Sequence, residues 1–453
     1  RAGSSGQGRA QRRPAESSGN MGLRKLRDAV HGDIHLADAE FAVLDTAQVQ
    51  RLRGIKQLGA ACYVYPGAQH TRFEHCLGAC WLARRILSQV EASGHRVPPV
   101  EKQAVLLAAL AHDVTHIPFG HTFEDERRLL DRHDESPRRY ELLLRSGELG
   151  ELLLSSEAGR LALEMLRPGA QPPAGRPYLR EVVSGTICAD LLDYLKRDNY
   201  FCGLRYEFDE RLFDYFRIVD GHLALDLYRA GLLRRDALTE ITNLLRIRYV
   251  LSERVYYHHA KMAAGVMVSK AVESAFAEGL VEEDLCALTD GGLLHSLRGR
   301  FGSRPAVVEL LDDFERRRLF KRCYLLTREI GEDNVVTAVS CYHHNEGGRR
   351  DADEQRIAEA LGIERHRVAI YCAPPGMALK EADVPVTVPR EGLAKLSDLN
   401  SEEIRVLKAQ HRALWKLYVF ISPRAGDVPA GPVCEEVIGF PNELQRQRHG
   451  GLA

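Results

Sequence analysis

One segment, Leu106-Leu-Ala-Ala-Leu-Ala-His112-Asp113, limits what this chain can become more than any other. Its apolar run predicts a helix inside a packed core, yet the run ends in an imidazole and a carboxylate, and Pro118 stops any helix soon after His116. An ionised Asp at the end of a buried helix is costly unless it is paired or bound to a cation. A metal ion is a sufficient explanation of the pair; the plain alternative is that both side chains cap backbone groups. Half of the eighteen histidines fall between His31 and His133, in company with Asp113, Glu124, Asp134 and Glu135, and that clustering asks for a chemical reason.

From about residue 40 to 335, Leu, Ala, Arg and Glu recur with helical period, as in Glu101 to Ala111 and Asp236 to Phe276, which predicts an all-α region. After Arg349-Arg350 the texture changes. Arg367 to Cys372, Val384 to Val388 and Trp415 to Ile421 are β-branched and aromatic at strand length, predicting a smaller α/β lobe. The expected layout is a disordered Gly/Ser/Arg-rich tail over 1–20, a helical domain over 21–335 and a C-terminal α/β lobe over 336–453. Basic and acidic residues number 62 and 63, so no overall field recruits nucleic acid or membrane. Ten scattered cysteines with no close CxxC pair suggest reduced thiols and a cytoplasmic protein. No apolar run is long enough to span a bilayer, and the first twenty residues lack a secretory signal's apolar centre.

Two further segments bear on the His-Asp pair. In Val183 to Asp198, spacings of four, three, four and four put Asp190, Tyr194 and Asp198 on one helical stripe with Val183 and Ile187. In His70-Thr-Arg72-Phe-Glu-His75-Cys-Leu-Gly78, a His opens another helical pattern with an Arg three residues before it. A bundle can bring such ligands together from three helices. In order, Gln50-Arg-Leu-Arg-Gly-Ile-Lys-Gln57-Leu58-Gly, Tyr65-Pro-Gly-Ala-Gln-His70-Thr-Arg72-Phe-Glu-His75, Ala111-His112-Asp113-Val-Thr-His116-Ile-Pro-Phe-Gly-His121 and Asp190-Leu-Leu-Asp-Tyr194 resemble the HD superfamily, and within it the deoxynucleoside triphosphate triphosphohydrolases. The resemblance runs from about His31 to Lys261 and implies a mainly α HD-domain bundle.

It also implies roles. His75, His112, Asp113 and Asp190 would hold one divalent transition metal, and this donor set suits Mn, Fe or Zn better than Mg, which would accompany the substrate phosphates. His121 would protonate the leaving 5′-oxygen with Glu124 orienting its ring, while His116 and His133 steady phosphate charge and Asp134 stands beside them. Gln57, Leu58, Tyr194 and Asp198 match residues around the deoxyribose, Tyr256 a sugar-stacking tyrosine, and Arg72 and Arg248 phosphate contacts. Arg248, Ser252 and Tyr256 fall at steps of four along one predicted helix. Asp45, Gln50 and Arg53 match positions that recognise an activating guanine nucleotide between subunits, which implies a homo-oligomer, dimer or tetramer; a salt-bridged helix start is the plain reading of the same residues. One departure stands out: where the vertebrate enzyme follows the metal-binding Asp with a phosphate-touching Lys, this chain has Leu191.

Rival readings remain open at this level. His112-Asp-Val-Thr-His116 has the spacing of a zinc protease but lacks the Glu that such chemistry uses as base. An HD-type phosphodiesterase acting on nucleic acid is the enzymatic alternative, with Arg316 to Arg318 and Arg322 as a basic run, although a solvated helix face explains that run too. A catalytically silent nucleotide-binding regulator is the third.

Overall fold

The computed structural model describes residues 24–171, 175–389, 392–399 and 401–444; the tail expected over 1–20 lies outside them. Helices dominate, with a smaller α/β region toward the C-terminus. The centre is built from α1 (Arg72–Ala92), α2 (Pro99–Ala111), α3 (Ala189–Phe201), α4 (Arg235–Leu251) and α5 (His259–Phe276). Each start has a local cause. Thr71 precedes α1 and donates its hydroxyl to Glu74 Oε2 at 3.0 Å, while its backbone N–H reaches the same carboxylate. Pro99 opens α2 with a φ already suited to the first turn. Every residue of α2 from Ala104 to Ala111 is buried, as its unbroken apolar sequence requires.

Helices α1 and α3 pack on each other around Gly78. A Cβ there would lie 1.8 Å from Asp193 Oδ1 and 2.4 Å from Arg197 Nη2, so only glycine leaves room for this carboxylate and guanidinium between the helices. A hairpin of β1 (Arg24–Asp28) and β2 (Gly32–Leu36) lies at the same place, and Arg197 Nη1 donates to Asp28 Oδ2 at 2.8 Å.

The all-α expectation for 40–335 requires correction. Strands β3 (Phe216–Val219) and β4 (His222–Leu225) form a hairpin across Asp220-Gly221, both at positive φ (51° and 79°). That dipeptide between alternating apolar residues is a hairpin signal that helical periodicity on either side obscures. The expected run from Asp236 to Phe276 is also divided, because a wide π turn over Ser252–Tyr256 separates α4 from α5. Likewise Val183 and Ile187 do not continue the stripe of Asp190, because the preceding helix ends at Ser184 and Gly185 breaks it.

Strand β5 (Lys321–Thr327) follows, in the three-stranded antiparallel sheet β5-β9-β6 with β6 (Val368–Cys372) and β9 (Lys416–Ile421). Strands β7 (Pro385–Val388) and β8 (Gly392–Lys395) join a different sheet, in the order β8-β7-β4-β3, through the parallel pairing of Val386 with Leu225. The C-terminal region is thereby stitched to the helical core. A buried ion network fastens it further: Glu354 accepts from Arg127 Nη1 and Lys270 Nζ, each at 2.7 Å, and from the Ile370 backbone N–H at 2.8 Å.

His343, buried in this region, donates from Nδ1 to the Cys372 carbonyl at 3.0 Å. Burial pushes its pKa from 6.5 down to about 4 despite that bond. The unfolded chain therefore takes up a proton that the folded chain resists, so His343 stabilises the fold above pH 6.5 and that share is lost as pH falls toward 4. The loss amounts to roughly 2 to 3 kcal/mol. Denaturant unfolding at pH 7.5 and 4.5 should show a smaller acid loss in His343→Gln than in the natural sequence; equal losses would remove His343 from the account.

Candidate metal centre

The end of α2, the first turns of α1 and α3, and the loop after α2 meet at one point. His75 Nε2 lies 3.0 Å from Asp190 Oδ1 and 3.8 Å from Asp113 Oδ2, while His112 Nε2 lies 3.2 Å from His75 Nε2, 3.5 Å from Asp113 Oδ1 and 3.8 Å from Asp190 Oδ1. His75, His112 and Asp190 thus lie close enough to share an ion, and Asp113 stands beside them within 3.8 Å of both histidines. Their tautomers support a metal. His112 Nδ1 donates to the Ala109 carbonyl and His75 Nδ1 to Asp193 Oδ2, both at 2.8 Å, leaving a lone pair on each Nε2 of the neutral rings. Two such nitrogens 3.2 Å apart have no proton to share, whereas two nitrogens each about 2.0–2.1 Å from one ion stand roughly 3 Å from each other. Two nitrogens and two carboxylates form a donor set suited to Mn, Fe or Zn.

Without an ion the same carboxylates favour protonated rings instead, so a proton and a cation compete for these nitrogens. Burial disfavours the charged form of His75, but hydrogen bonds to Asp190 and Asp193 outweigh it and lift the ring to about 10. His112 is held well above the ordinary imidazole value, burial again being overcome, here chiefly by the charge of Asp113. Burial would raise Asp113, yet Arg72, whose Nη1 is 2.6 Å from Asp113 Oδ2, and His112 and His116 hold it well below the carboxylate range. Asp190 is lowered as well, burial being outweighed by the two histidines. The site demands positive charge.

Asp193 was not legible as a site residue. It lies three residues beyond Asp190, off the stripe of Tyr194 and Asp198, and its carboxylate accepts from His75, from His31 Nε2 at 2.6 Å and from Arg197 Nε at 2.8 Å. His31 sits 162 residues away in sequence, so no local pattern announces the contact. Asp193 fixes the tautomer and tilt of His75, and Asp193→Asn should weaken metal binding by about 10- to 100-fold in a chelator competition. An unchanged affinity would contradict that positioning role.

Beside the metal centre lies a second cluster. His116 Nε2 is 3.3 Å from Asp113 Oδ1, and the His116 ring stacks on His133 with centroids 3.5 Å apart. Burial and the charges of Arg72 and His133 keep His116 well below its ordinary pKa, hence neutral. His121 Nδ1 donates to Glu124 Oε2 at 2.9 Å, and Arg139 Nη1 donates to the other Glu124 oxygen at 2.8 Å. Burial raises Glu124, but its bonds to His121 and His133 prevail and hold it well below the usual value. His121 is two-fifths exposed, which leaves its Nε2 able to exchange a proton at the cleft. Backbone shape contributes. Phe119 and Gly120 adopt φ of 63° and 57°, and a Cβ on Gly120 would meet Arg72 Nη2 at 2.5 Å. Glu124 itself lies on a π turn, Thr122–Glu126.

The remaining expected residues divide. Tyr256 donates its hydroxyl to Asp198 Oδ2 at 2.6 Å, and His70 Nε2 lies 2.8 Å from Asp198 Oδ1. The Arg248 guanidinium stands 5.3 Å from the Tyr194 ring centre and 4.9 Å from that of Tyr256, so the π turn still brings these residues together. The Gln57 side-chain oxygen is buried without a hydrogen-bond partner among the described residues, and Leu58 is half-buried nearby in sequence. Arg72 donates from Nη1 to Asp113 at 2.6 Å. Asp134 is exposed and bonds Arg132, with His133 Nδ1 at 3.9 Å. Gln50 and Arg53 bond each other at 2.8 Å, Arg53 lying 3.5 Å over the Phe73 ring, while Asp45 is exposed and has no side-chain bond among the described residues. A cleft of about 340 Å³ opens beside Asp190 and Tyr194, walled also by Leu191, Lys380 and Glu381. No described helix is long and apolar enough to cross a membrane.

Residues 72–198 match the HD domain, and residues 210–448 match the HD associated region. Over 402 residues the chain is 27% identical to an uncharacterized protein of Methanocaldococcus jannaschii, covering 88% of this chain and 79% of that one. It is 28% identical over 328 residues to the human deoxynucleoside triphosphate triphosphohydrolase SAMHD1, and 28% identical over 345 residues to the chicken protein of that name. These alignments cover 65% and 66% of this chain but only 48% and 56% of those proteins, so the chain spans about half the length of the triphosphohydrolases it matches. A crystal structure of a phosphohydrolase from Bacteroides thetaiotaomicron shares the fold at a TM-score of 0.65 with 21% identity, covering 88% of this chain and 100% of that one.

Proposed function

The chain belongs to the HD-domain family and carries its HD associated region, and from that membership we propose that it is a metal-dependent phosphohydrolase cleaving deoxynucleoside triphosphates to deoxynucleoside and triphosphate. The observation that carries this reading is the convergence of His75, His112, Asp113 and Asp190 beside the His121–Glu124 pair and a tyrosine-walled cleft. A bound cation acidifies an attacking water and draws charge from a phosphoryl oxygen. The remaining work falls to the chain's own side chains. His121 gives its Nε2 proton to the departing 5′-oxygen, while Glu124, fixed by Arg139, holds the ring through Nδ1 and stabilises its charged form. Neutral His116, stacked on His133, adds a polar lining without repelling Arg72. Asp198 and Tyr256, bonded to each other, and the unpartnered oxygen of Gln57 suit a deoxyribose with a free 3′-hydroxyl.

Purified protein should be incubated with each deoxynucleoside triphosphate, each ribonucleoside triphosphate and single-stranded DNA. Mn, Fe, Zn or Mg would be supplied with or without GTP, and the products identified. Tripolyphosphate plus deoxynucleoside is the expected result. Shortened DNA or a nucleoside monophosphate would replace the reading with phosphodiester hydrolysis, and no turnover under any condition would replace it with a silent nucleotide binder.

A further inference from the structure

The cleft beside the metal centre is walled partly by a short turn, Lys380–Asp383, from the HD associated region, far in sequence from the helices that carry the metal ligands. Its place is fixed from two sides. Directly after it, β7 pairs with β4 of the core, and the Leu227 backbone N–H donates to Thr387 Oγ1 at 3.2 Å. Just before it, the Met377 carbonyl lies 2.6 Å from His411 Nδ1, and the other nitrogen of that ring is 3.2 Å from Ser252 Oγ, one helical turn beyond Arg248. The turn is built into the cleft wall.

What it presents there is charged. Glu381, 8% exposed, accepts from Arg248 Nε at 3.1 Å. With its faces toward Tyr194 and Tyr256 and its Nε spent on Glu381, Arg248 retains its two Nη groups, which have no hydrogen-bond acceptor among the described residues. Lys380 is exposed and likewise has no ion-pair or hydrogen-bond partner among them. Lys380 and Glu381 line the cleft together with Asp190, which faces the metal centre, and Arg248 stands behind Glu381; Lys380 is left as a cation without a partner among the described residues, next to the apolar wall of Leu191.

We propose that the Lys380–Asp383 turn completes the substrate cleft as its phosphate-binding end. In this arrangement Lys380 takes the outer phosphates of a nucleotide polyphosphate, and Glu381 is a positioning residue that aims Arg248 at the same group. The inference rests on the reading of the cleft as a nucleotide site, and it assigns to the HD associated region a direct part in substrate selection. An ammonium on a flexible stem suits this task because it meets a phosphate as a point charge without demanding one geometry.

The test uses the full-length, metal-loaded protein and titrates inorganic tripolyphosphate by calorimetry, in parallel with deoxynucleoside triphosphate hydrolysis. Lys380→Ala, an exposed change that leaves folding intact, should weaken tripolyphosphate binding and raise KM roughly five- to tenfold, with the difference shrinking at high salt. Adding Leu191→Lys should recover affinity. Glu381→Ala should weaken binding as Arg248→Ala does, whereas Glu381→Gln, which keeps an acceptor for Arg248 Nε, should restore most of it. Unchanged tripolyphosphate affinity in Lys380→Ala overturns the proposal while leaving the hydrolase reading standing. Natural protein that binds tripolyphosphate through Lys380 but does not hydrolyse the nucleotides would sink the hydrolase reading alone. No tripolyphosphate binding by the natural protein would overturn the proposal outright.

Discussion

Asp113→Asn is expected to abolish both the bound transition metal and the hydrolysis of deoxynucleoside triphosphates, lowering kcat/KM on the order of a thousandfold or more. Asp113 does three things at once. It supplies one of the four converging donors, it neutralises the buried guanidinium of Arg72 at 2.6 Å, and it meets His116 Nε2 at 3.3 Å. Asn preserves the shape but cannot carry the charge. Both variants leave the Arg72 charge without its counter-ion, but Asp113→Ala also removes the acceptor of its hydrogen bond and would be the poorer probe, confusing lost folding with lost metal. Metal content by mass spectrometry and activity should fall together in Asp113→Asn, with the thermal midpoint recorded beside them. A variant that stays folded and loses neither would contradict the site assignment.

His121→Asn should separate proton transfer from metal binding. Its ring is oriented by Glu124 and lies in the second cluster, where it meets His116, which in turn contacts Asp113. Metal content should be unchanged, and kcat for a deoxynucleoside triphosphate should drop about 10²- to 10⁴-fold, the usual worth of a positioned general acid. The penalty should shrink for a p-nitrophenyl phosphate ester, whose leaving group needs no proton. Glu124→Gln keeps a hydrogen-bond acceptor for the ring but removes the charge that stabilises the imidazolium, so its loss should be smaller than that of His121→Asn. Equal penalties on good and poor leaving groups would assign His121 to binding instead.

The parts of this site legible in sequence are those carried by short segments. His75 is reached through an Arg-Phe-Glu-His run at a helix start, and His112 and Asp113 end an apolar helix, a place where polar side chains need a reason. Asp190, Tyr194 and Asp198 share one helix at steps of four. The supporting partners were hidden because they come from distant segments. His31 and Asp28 arrive on an N-terminal hairpin to meet Asp193 and Arg197, and His70 reaches Asp198 across 128 residues. No periodicity encodes such contacts; the Asp193 and Arg197 side chains fit between the helices only because Gly78 leaves them room.

The fold shows the same division. Strand-forming composition marks β6, β7 and β9, but which sheet each joins depends on pairing with segments more than thirty residues away, and β7 turns out to pair with the β3–β4 hairpin of the core. Strand β5 lies at the end of the stretch of helical period, and its partner β9 comes some ninety residues later, so no local pattern marks it. The Asp220-Gly221 turn was readable and was overridden by the helical periodicity on either side of it. Those long-range pairings are what carry Lys380 and Glu381 to the cleft.

The central claim is that one cation sits among His75 Nε2, His112 Nε2, Asp113 and Asp190. Anomalous diffraction from crystals of the Mn-loaded protein, collected above and below the metal edge, tests it most directly. The account predicts a single strong peak about 2.0–2.2 Å from those four donors, with at least one coordination position open toward the Tyr194 cleft. A peak held instead by His116, His121, Glu124 and His133, whose ligand atoms among the described residues also lie close enough to share an ion, would contradict it.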